Sequence, residues 1–456
     1  MKTKVSIVGL GKLGACMAAA MASRGVEVIG VDTNSSVIES LNTGHAPVQE
    51  TFLEETIAAN RERLRATSSY QEAILSSDIT FVAVPTPSDD RGAFSLSFVE
   101  PAFREIGRAL KMKSEPHLVV LVSTVLPGST RSLLPVLESE SGKRAGEELG
   151  LCYSPQFIAL GSVLRDFLNA DFTLIGEHDR DAGARLESFY NELLLNNPPC
   201  RRISLENAEL AKIALNNYVI MKMTFANMLA DLCEVISGGD VDVVSETLGL
   251  DRRIGGYSLK GGLGYGGPCF PRDTAALSFM ARELGIKVGL VDATDSANRS
   301  RPDWIVQKLQ SVIEPRSTVG VLGLAYKPSS HIVEESQAIM IARALAETGA
   351  RVVAYDPLAN ESGRAELPDE VIIVETANEC VELADVVVVA TPDPAFRALS
   401  QDELRGKTVV DCWRLLADKL ADCAQVHYLP IGRNMSDVTQ VRTDKRRLDS
   451  RSDTSA

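Results

Sequence analysis

Paired cysteines are missing from this chain. Its eight cysteines lie scattered at 16, 152, 200, 233, 269, 380, 412 and 423, and no two form a C-x-x-C pair. That excludes a zinc ribbon or a disulfide framework, leaves no expected metal site, and fits a reducing cytosol. Positive charge is also short: 47 Lys and Arg stand against 61 Asp and Glu, for a net charge of −14. A nucleic-acid polyanion is thereby excluded as the main partner, while local basic pockets for phosphate stay open. No apolar run approaches the ~20 residues that cross a bilayer. Met1-Lys2-Thr3-Lys4 leads straight into a strand-like run, the wrong start for a signal peptide. The expectation is a cytoplasmic protein with no membrane partner.

The 45% apolar and 24% charged fractions are those of a globular protein. A chain of 456 residues is expected to form about three units.

The stretch with the most chemistry in it is Gly261-Gly-Leu-Gly-Tyr-Gly-Gly-Pro-Cys269-Phe-Pro-Arg-Asp273-Thr. Five glycines let backbone N–H groups approach a ligand closely. Asp273 follows Cys269 by four positions, so one helical turn puts both on one face. A thiol beside an acid at such a loop suggests covalent catalysis. The alternative is a tight loop around a buried thiol.

The chain opens with a strand-like Lys4–Val8 and then Gly9-Leu-Gly11-Lys-Leu13-Gly14. An Ala-rich helix and a second strand ending at Asp32 follow. This is the dinucleotide-binding βαβ pattern in its full context. Gly9 makes the turn, Gly11 admits the pyrophosphate, and Gly14 lets helix and strand pack. Asp32 is expected on the ribose 2′-OH, which favours NAD over NADP. Strands near 78–85 and 117–123 end in loops holding Thr86 and Thr124, on the edge where ligands of open α/β sheets bind. Thr124 reads equally as a substrate contact or an ordinary helix cap.

Residues 206–234 contain no Gly or Pro and predict one helix of roughly 45 Å. It is apolar around much of its circumference and is expected to be buried, in part by a second subunit. Lys212 and Asn216 share a face, and a desolvated lysine is a common catalytic device. From 318 the pattern of the first domain repeats. Thr318–Lys327 echoes Val5–Lys12, and Ala350–Asp356 echoes Val26–Asp32. The expected fold is therefore α/β, with two Rossmann-like doubly wound parallel-sheet domains joined by a long central helix. Ala325 and Lys327 stand where the repeated motif asks for further glycines, so a nucleotide part of a substrate is the expected occupant there. The expected division is an NAD-binding domain at 1–200, a helical dimerisation domain with the cysteine loop at 201–300, a nucleotide-sugar domain at 301–432, and a disordered tail at 433–456.

Over residues 1–430 the chain resembles the UDP-glucose/GDP-mannose dehydrogenase family. The resemblance rests on GLGKLG (9–14), STVLPG (123–128), AELAKIALNN (208–217), GYGGPCFPRD (264–273) and GLAYKP (323–328). It implies NAD-dependent oxidation of a nucleotide sugar, with UDP favoured, from the C6 alcohol to a carboxylate, for polysaccharide synthesis. It implies Cys269 as nucleophile, Lys212 and Asn216 as oxyanion donors, and Asp273 and Thr124 as residues that position or activate water. Leu13, Thr86, Thr124 and Lys327 join Gly9, Gly11, Gly14 and Asp32 as implied cofactor contacts. Phe157, Lys212, Asn216, Arg253, Lys260, Tyr265, Gly266, Arg272 and Lys327 are implied substrate contacts, with Arg253 reaching into a neighbouring subunit of a homodimer or larger assembly.

One segment departs from the family pattern. In Tyr153-Ser-Pro-Gln156-Phe157-Ile-Ala-Leu160, Gln156 replaces the glutamate regarded as base for the late steps, and Leu160 replaces a second acid. Glutamine holds a water but cannot take its proton. This keeps open a catalytically impaired homologue that binds NAD and a nucleotide sugar. A two-electron hydroxyacid dehydrogenase is the other alternative.

Overall fold

Short, almost uninterrupted apolar runs build both sheets, as strands covered on two faces require. A computed structural model describes residues 3–314 and 316–435. The chain divides into two compact units. One is formed by the chain up to Leu215 with Ala275–Gly285, the other by Asn216–Thr274 with the chain from Ile286 on.

The first unit contains, among the described residues, one eight-stranded sheet. Its strands are β1 (Lys4–Val8), β2 (Glu27–Val31), β3 (Leu64–Thr67), β4 (Ile79–Val82), β5 (His117–Leu121), β6 (Leu149–Tyr153), β7 (Thr173–Glu177) and β8 (Cys200–Ser204). The order is β3-β2-β1-β4-β5-β6-β7-β8. Strands β1 to β6 are parallel, as expected. At the far edge β7 joins β6 antiparallel, and β8 then runs parallel to β7. Alternate residues of β5 enter different cores: Leu118 and Val120 pack with Phe81 and Met17, while Val119 and Leu121 pack with Phe103 and Val31. The order reverses between β1 and β4, which opens a crevice at their carboxyl ends.

The second unit repeats this design with six parallel strands. They are β9 (Thr318–Leu322), β10 (Arg351–Tyr355), β11 (Ile372–Ile373), β12 (Val386–Val389), β13 (Thr408–Asp411) and β14 (His427–Pro430), in the order β11-β10-β9-β12-β13-β14. The echo between the units extends to single bonds. Gly9 and Gly323 both take positive φ, +90° and +97°. Their N–H groups donate to Val31 and Tyr355, each at 2.8 Å. Counted from Gly323, it is Pro328 rather than Lys327 that falls at the place of Gly14.

The predicted long helix runs from Leu205 to Val235. Within this chain it is covered on one side, where Ala208, Ile213, Ile220, Ala226 and Ala230 are buried. On the other side Leu210, Tyr218, Phe225, Met228 and Leu232 form an exposed stripe, because their spacing returns them to one face of a 3.6-residue helix. Two residues of the expected polar tail are seen bonded within the second unit: Arg433 pairs with Asp240 at 2.6 Å and Asn434 donates to the Glu234 carbonyl. The tail from 436 lies outside the described residues. Among the described residues no helix is long and apolar enough to cross a membrane.

Candidate active site

In the first unit the loop after β1 feeds directly into the helix Lys12–Ser23. A Cβ on Gly14 would run into the Gly9 carbonyl oxygen, whereas one on Gly11 would meet nothing within 4 Å. Gly11 thus faces open space at a helix N-terminus, where backbone N–H groups and the helix dipole favour an anion. Asp32 ends β2, accepting from Leu10 N–H at 2.8 Å and Asn34 N–H at 2.9 Å. That leaves part of its acceptor capacity for a ribose hydroxyl. The Thr86 hydroxyl donates to the Thr124 carbonyl at 2.8 Å, which joins the loops after β4 and β5. These features fit a pyrophosphate-linked dinucleotide.

Three further sequence-predicted residues meet in this unit. The Lys212 ammonium donates to the Gln156 carbonyl at 2.9 Å and lies 4.7 Å from the centre of the Phe157 ring. Lys212 is buried, so the carbonyl and the ring face replace lost water. The Gln156 side chain turns inward: its Nε2 donates to the Ser154 carbonyl at 3.2 Å and to the Tyr190 hydroxyl at 3.3 Å. Burial pushes the Tyr190 phenol up to about 12 despite bonds from Ser154 and Gln156. Leu160 packs against the core beneath the helix Lys12–Ser23.

Sequence reading missed Glu209, although it lies inside the AELAKIALNN segment. It is fully buried, and its carboxylate accepts from Gly128 N–H at 2.6 Å and Thr130 N–H at 2.7 Å. It thereby caps the helix Ser129–Ser141 and fastens the end of the Thr124 loop. Burial raises its carboxyl above the ordinary range, against the opposing pull of those hydrogen bonds. The only signal was an acid in an apolar stretch.

In the second unit Cys269 immediately precedes the helix Phe270–Glu283 and is exposed, so the expected alternative of a buried thiol is wrong. Its carbonyl accepts from Asp273 N–H at 2.9 Å, which places Asp273 one turn on. Asp273 is buried, with Asn216 Nδ2 donating to its Oδ2 at 2.6 Å and Asn217 Nδ2 to its carbonyl at 3.3 Å. A cavity of about 210 Å³ in the same unit is lined by Tyr265, Gly266, Lys327, Gln337, Thr391 and Trp413, among others. It opens where β9 and β12 carry the order reversal, the place where such sheets bind ligands. Tyr265, Gly266 and Lys327 were expected here. Arg253, Lys260 and Arg272 do not line the cavity. Arg253 is exposed and pairs with Asp251 at 2.6 Å.

Asp356 occupies the position of Asp32, yet its carboxylate accepts four backbone N–H groups, from Leu324, Ala325, Leu358 and Ala359. Four donors fill a carboxylate's capacity and leave nothing for a ribose. The second unit is therefore unsuited to a dinucleotide held as in the first.

Known proteins bear on these sites. Residues 3–194 match the NAD binding domain of the UDP-glucose/GDP-mannose dehydrogenase family, 206–300 its central domain, and 320–418 its UDP binding domain. UDP-glucose 6-dehydrogenase AglM of Haloferax volcanii is 38% identical over 420 residues, spanning 91% of this chain and 97% of its own. The GDP-mannose 6-dehydrogenase of Azotobacter vinelandii is 32% identical over 439 residues, spanning 92% and 99%. A UDP-glucose dehydrogenase structure from Pyrobaculum islandicum superposes with a TM-score of 0.86 at 35% identity, covering 95% of this chain and 98% of that one. NAD is the cofactor, and the glycine loop and Asp32 are the groups that fit it. The chain belongs to the UDP-glucose/GDP-mannose dehydrogenase family.

Proposed function

We infer that the protein is an NAD-dependent nucleotide-sugar 6-dehydrogenase that converts the C6 alcohol of a UDP-sugar to the carboxylate. The observation that carries this reading is the exposed Cys269 one helical turn before a buried Asp273 that Asn216 holds at 2.6 Å. Stopping at an aldehyde makes no use of a thiol, whereas a thiol adduct of the aldehyde supplies a carbon from which a second hydride can leave. NAD, when bound, accepts a hydride at each of two oxidations. The Cys269 thiolate adds to the C6 aldehyde to form a thiohemiacetal, whose oxidation leaves a thioester. Water then cleaves the thioester to the carboxylate and returns the thiol. The balance is one alcohol, one water and two NAD to one carboxylate, two NADH and three protons.

In this scheme Lys212 and Asn216 donate to the oxyanions. Asp273 and Thr124 position the attacking water. Lys327 and the first turn of the helix Gln337–Glu347, both on the cavity wall, offer positive charge and N–H groups to the diphosphate. Phe157, Tyr265, Gly266 and Arg272 are substrate contacts. Lys260 is a substrate contact on the loop, Arg253 is a contact that a homodimer would bring in, and the exposed apolar stripe of the long helix supports such a dimer. The UDP choice is supported by the UDP binding domain match and by relatives named for UDP-glucose.

A second reading is favoured by Gln156. Its Nε2 donates to Ser154 and Tyr190, and its amide has no basic atom to take a proton from water. On that reading thioester hydrolysis is impaired and the chain works mainly as a binder of NAD and nucleotide sugar. Intact-protein mass after incubation with NAD and a panel of UDP- and GDP-sugars, with NADH counted per sugar, decides between them. Two NADH and a free acid support the dehydrogenase. A stable adduct on Cys269 with a single burst supports impaired hydrolysis. One NADH per sugar and no adduct would sink the four-electron scheme.

A further inference from the structure

The loop Gly261–Tyr265, which leads to Cys269, is held peptide by peptide by buried polar side chains of the second unit. Arg414 Nη2 donates to the Gly261 carbonyl at 2.7 Å, and Arg301 Nε to that of Gly262 at 2.9 Å. Asn227 Oδ1 accepts from Gly262 N–H at 2.8 Å. Gln337 Oε1 accepts from Gly264 N–H at 2.5 Å. Asn298 takes both sides of Tyr265: its Oδ1 accepts from Tyr265 N–H at 2.8 Å and its Nδ2 donates to Tyr265 O at 3.0 Å. Gln337 Nε2 donates in turn to the Asn298 carbonyl at 2.9 Å, so the two amides form one clamp. The approach is so close that a Cβ on Gly264 would collide with both of them. Gln337 also lines the cavity.

A helix satisfies its backbone internally and a strand does so through its neighbours in a sheet. This loop does not, and a buried unpaired peptide group is costly. Two amide side chains can match the loop's donors and acceptors in only one register, so they set its course and with it the start of the helix Phe270–Glu283. We propose that Asn298 and Gln337 are positioning residues for the Cys269 loop, and that Gln337 transmits occupancy of the cavity to it. The coupling follows from one side chain touching both: a nucleotide packed on Gln337 restrains the amide that holds Gly264. This rests on the reading of Cys269 as nucleophile and of the cavity as the nucleotide site.

The test uses the full chain with Asn298→Ala, Asn298→Asp and Gln337→Met, the last keeping volume while removing the amide's hydrogen bonds to Gly264 and Asn298. Amide hydrogen exchange is followed by mass spectrometry in peptides covering 261–269, with and without UDP. Cys269 is titrated with iodoacetamide, and NADH turnover is expressed per titrated thiol. In Asn298→Ala and Gln337→Met, exchange in 261–269 speeds at least about tenfold while peptides of β9 and β12 keep their rates. Turnover per thiol falls about tenfold to a hundredfold with KM for NAD unchanged, as a misplaced reacting group predicts. Asn298→Asp, which keeps the acceptor for Tyr265 N–H, falls between. UDP slows exchange of 261–269 in the wild type and not in Gln337→Met. Exchange and turnover per thiol within about twofold of wild type in both variants overturn the clamp. A UDP effect that survives in Gln337→Met overturns the coupling alone. Full acid production by Cys269→Ser sinks the nucleophile reading instead, and the exchange measurement still decides the clamp because it needs no turnover.

Discussion

The Leu10 amide donates to the Asp32 carboxylate at 2.8 Å, and Leu324 donates to Asp356 at the same length in the second unit. The two acids differ in what remains. Asp356 is filled by four backbone donors, whereas Asp32 accepts two and keeps acceptor capacity for a ribose. Asp32→Ala is therefore expected to raise KM for NAD about tenfold to a hundredfold, the worth of a hydrogen bond to a charged group. It also removes the charge that repels a 2′-phosphate, so the preference for NAD over NADP narrows. Initial rates with both cofactors check this. An unchanged preference would remove Asp32 from the ribose site.

A chain of buried polar groups crosses the first unit at the amino ends of its strands. Ser77 donates to Ser6, Ser6 meets Thr80 at 2.7 Å, and Thr80 meets His117 Nε2 at 2.7 Å. Lys113 Nζ lies 3.0 Å from His117 Nδ1 and also donates to the Ser77 carbonyl. Burial first, then the positive Lys113 and Arg185, hold His117 well below its ordinary pKa. The unfolded chain takes up a proton near pH 6.5 and the folded one resists it. Stability from this site is thus present above pH 6.5 and is lost as pH falls below it, by at most about 1.4 kcal/mol per pH unit for one proton. Thermal midpoints between pH 7.5 and 5 should fall more steeply for the wild type than for His117→Gln. Parallel curves would show that His117 takes no part in the acid response.

How much of this was legible follows the range of each interaction. Gly9, Gly14 and Asp32 announce themselves because their motif partners, Val31, Gly9 and Leu10, lie within one short βαβ unit. The repeat at Thr318–Asp356 was readable for the same reason. Asn298 and Gln337 carry no such mark. Their partners lie 33 and 73 residues away in a loop with no regular backbone. Glu209 sat in a quoted segment but gained a role only once the Gly128 turn was placed against it. The reversed strand β7, one in from the edge, has the composition of a parallel one, so nothing local distinguishes its direction. Apolar content alone does not reveal which side of the long helix its own chain covers, so the exposed stripe from Leu210 to Leu232 was not legible.

Gln156 turns its amide to Ser154 and Tyr190 and presents no base. Removing a general base typically costs about 10²–10⁴-fold in the assisted step. Gln156→Leu should cost far less, leaving acid formation within about threefold, because only neutral hydrogen bonds are lost. Single-turnover measurement of thioester decay checks this. A hundredfold slower decay would mean that Gln156 orders the attacking water.

Arg414 ties together three segments of the second unit. Its guanidinium forms a fork with Asp242, Nε to Oδ2 at 2.7 Å and Nη2 to Oδ1 at 2.9 Å. It also donates to the carbonyls of Gly261 and Ile431, at 2.7 and 2.5 Å. Its side chain is 2% exposed and that of Asp242 36%. Breaking a fully buried pair costs 3–5 kcal/mol, because the partner is left charged and dry. Asp242 can recover some water, so Arg414→Met is expected to cost about 3 kcal/mol, the lower end of that range. Arg414→Lys should lose much of the same amount, since a point charge cannot serve a carboxylate and two carbonyls in one plane. Asp242→Asn should cost less than either, as the arginine keeps both carbonyls. Urea unfolding of the three variants gives the order directly. If Asp242→Asn proved the most damaging, the carboxylate rather than the loop carbonyls would be what Arg414 serves.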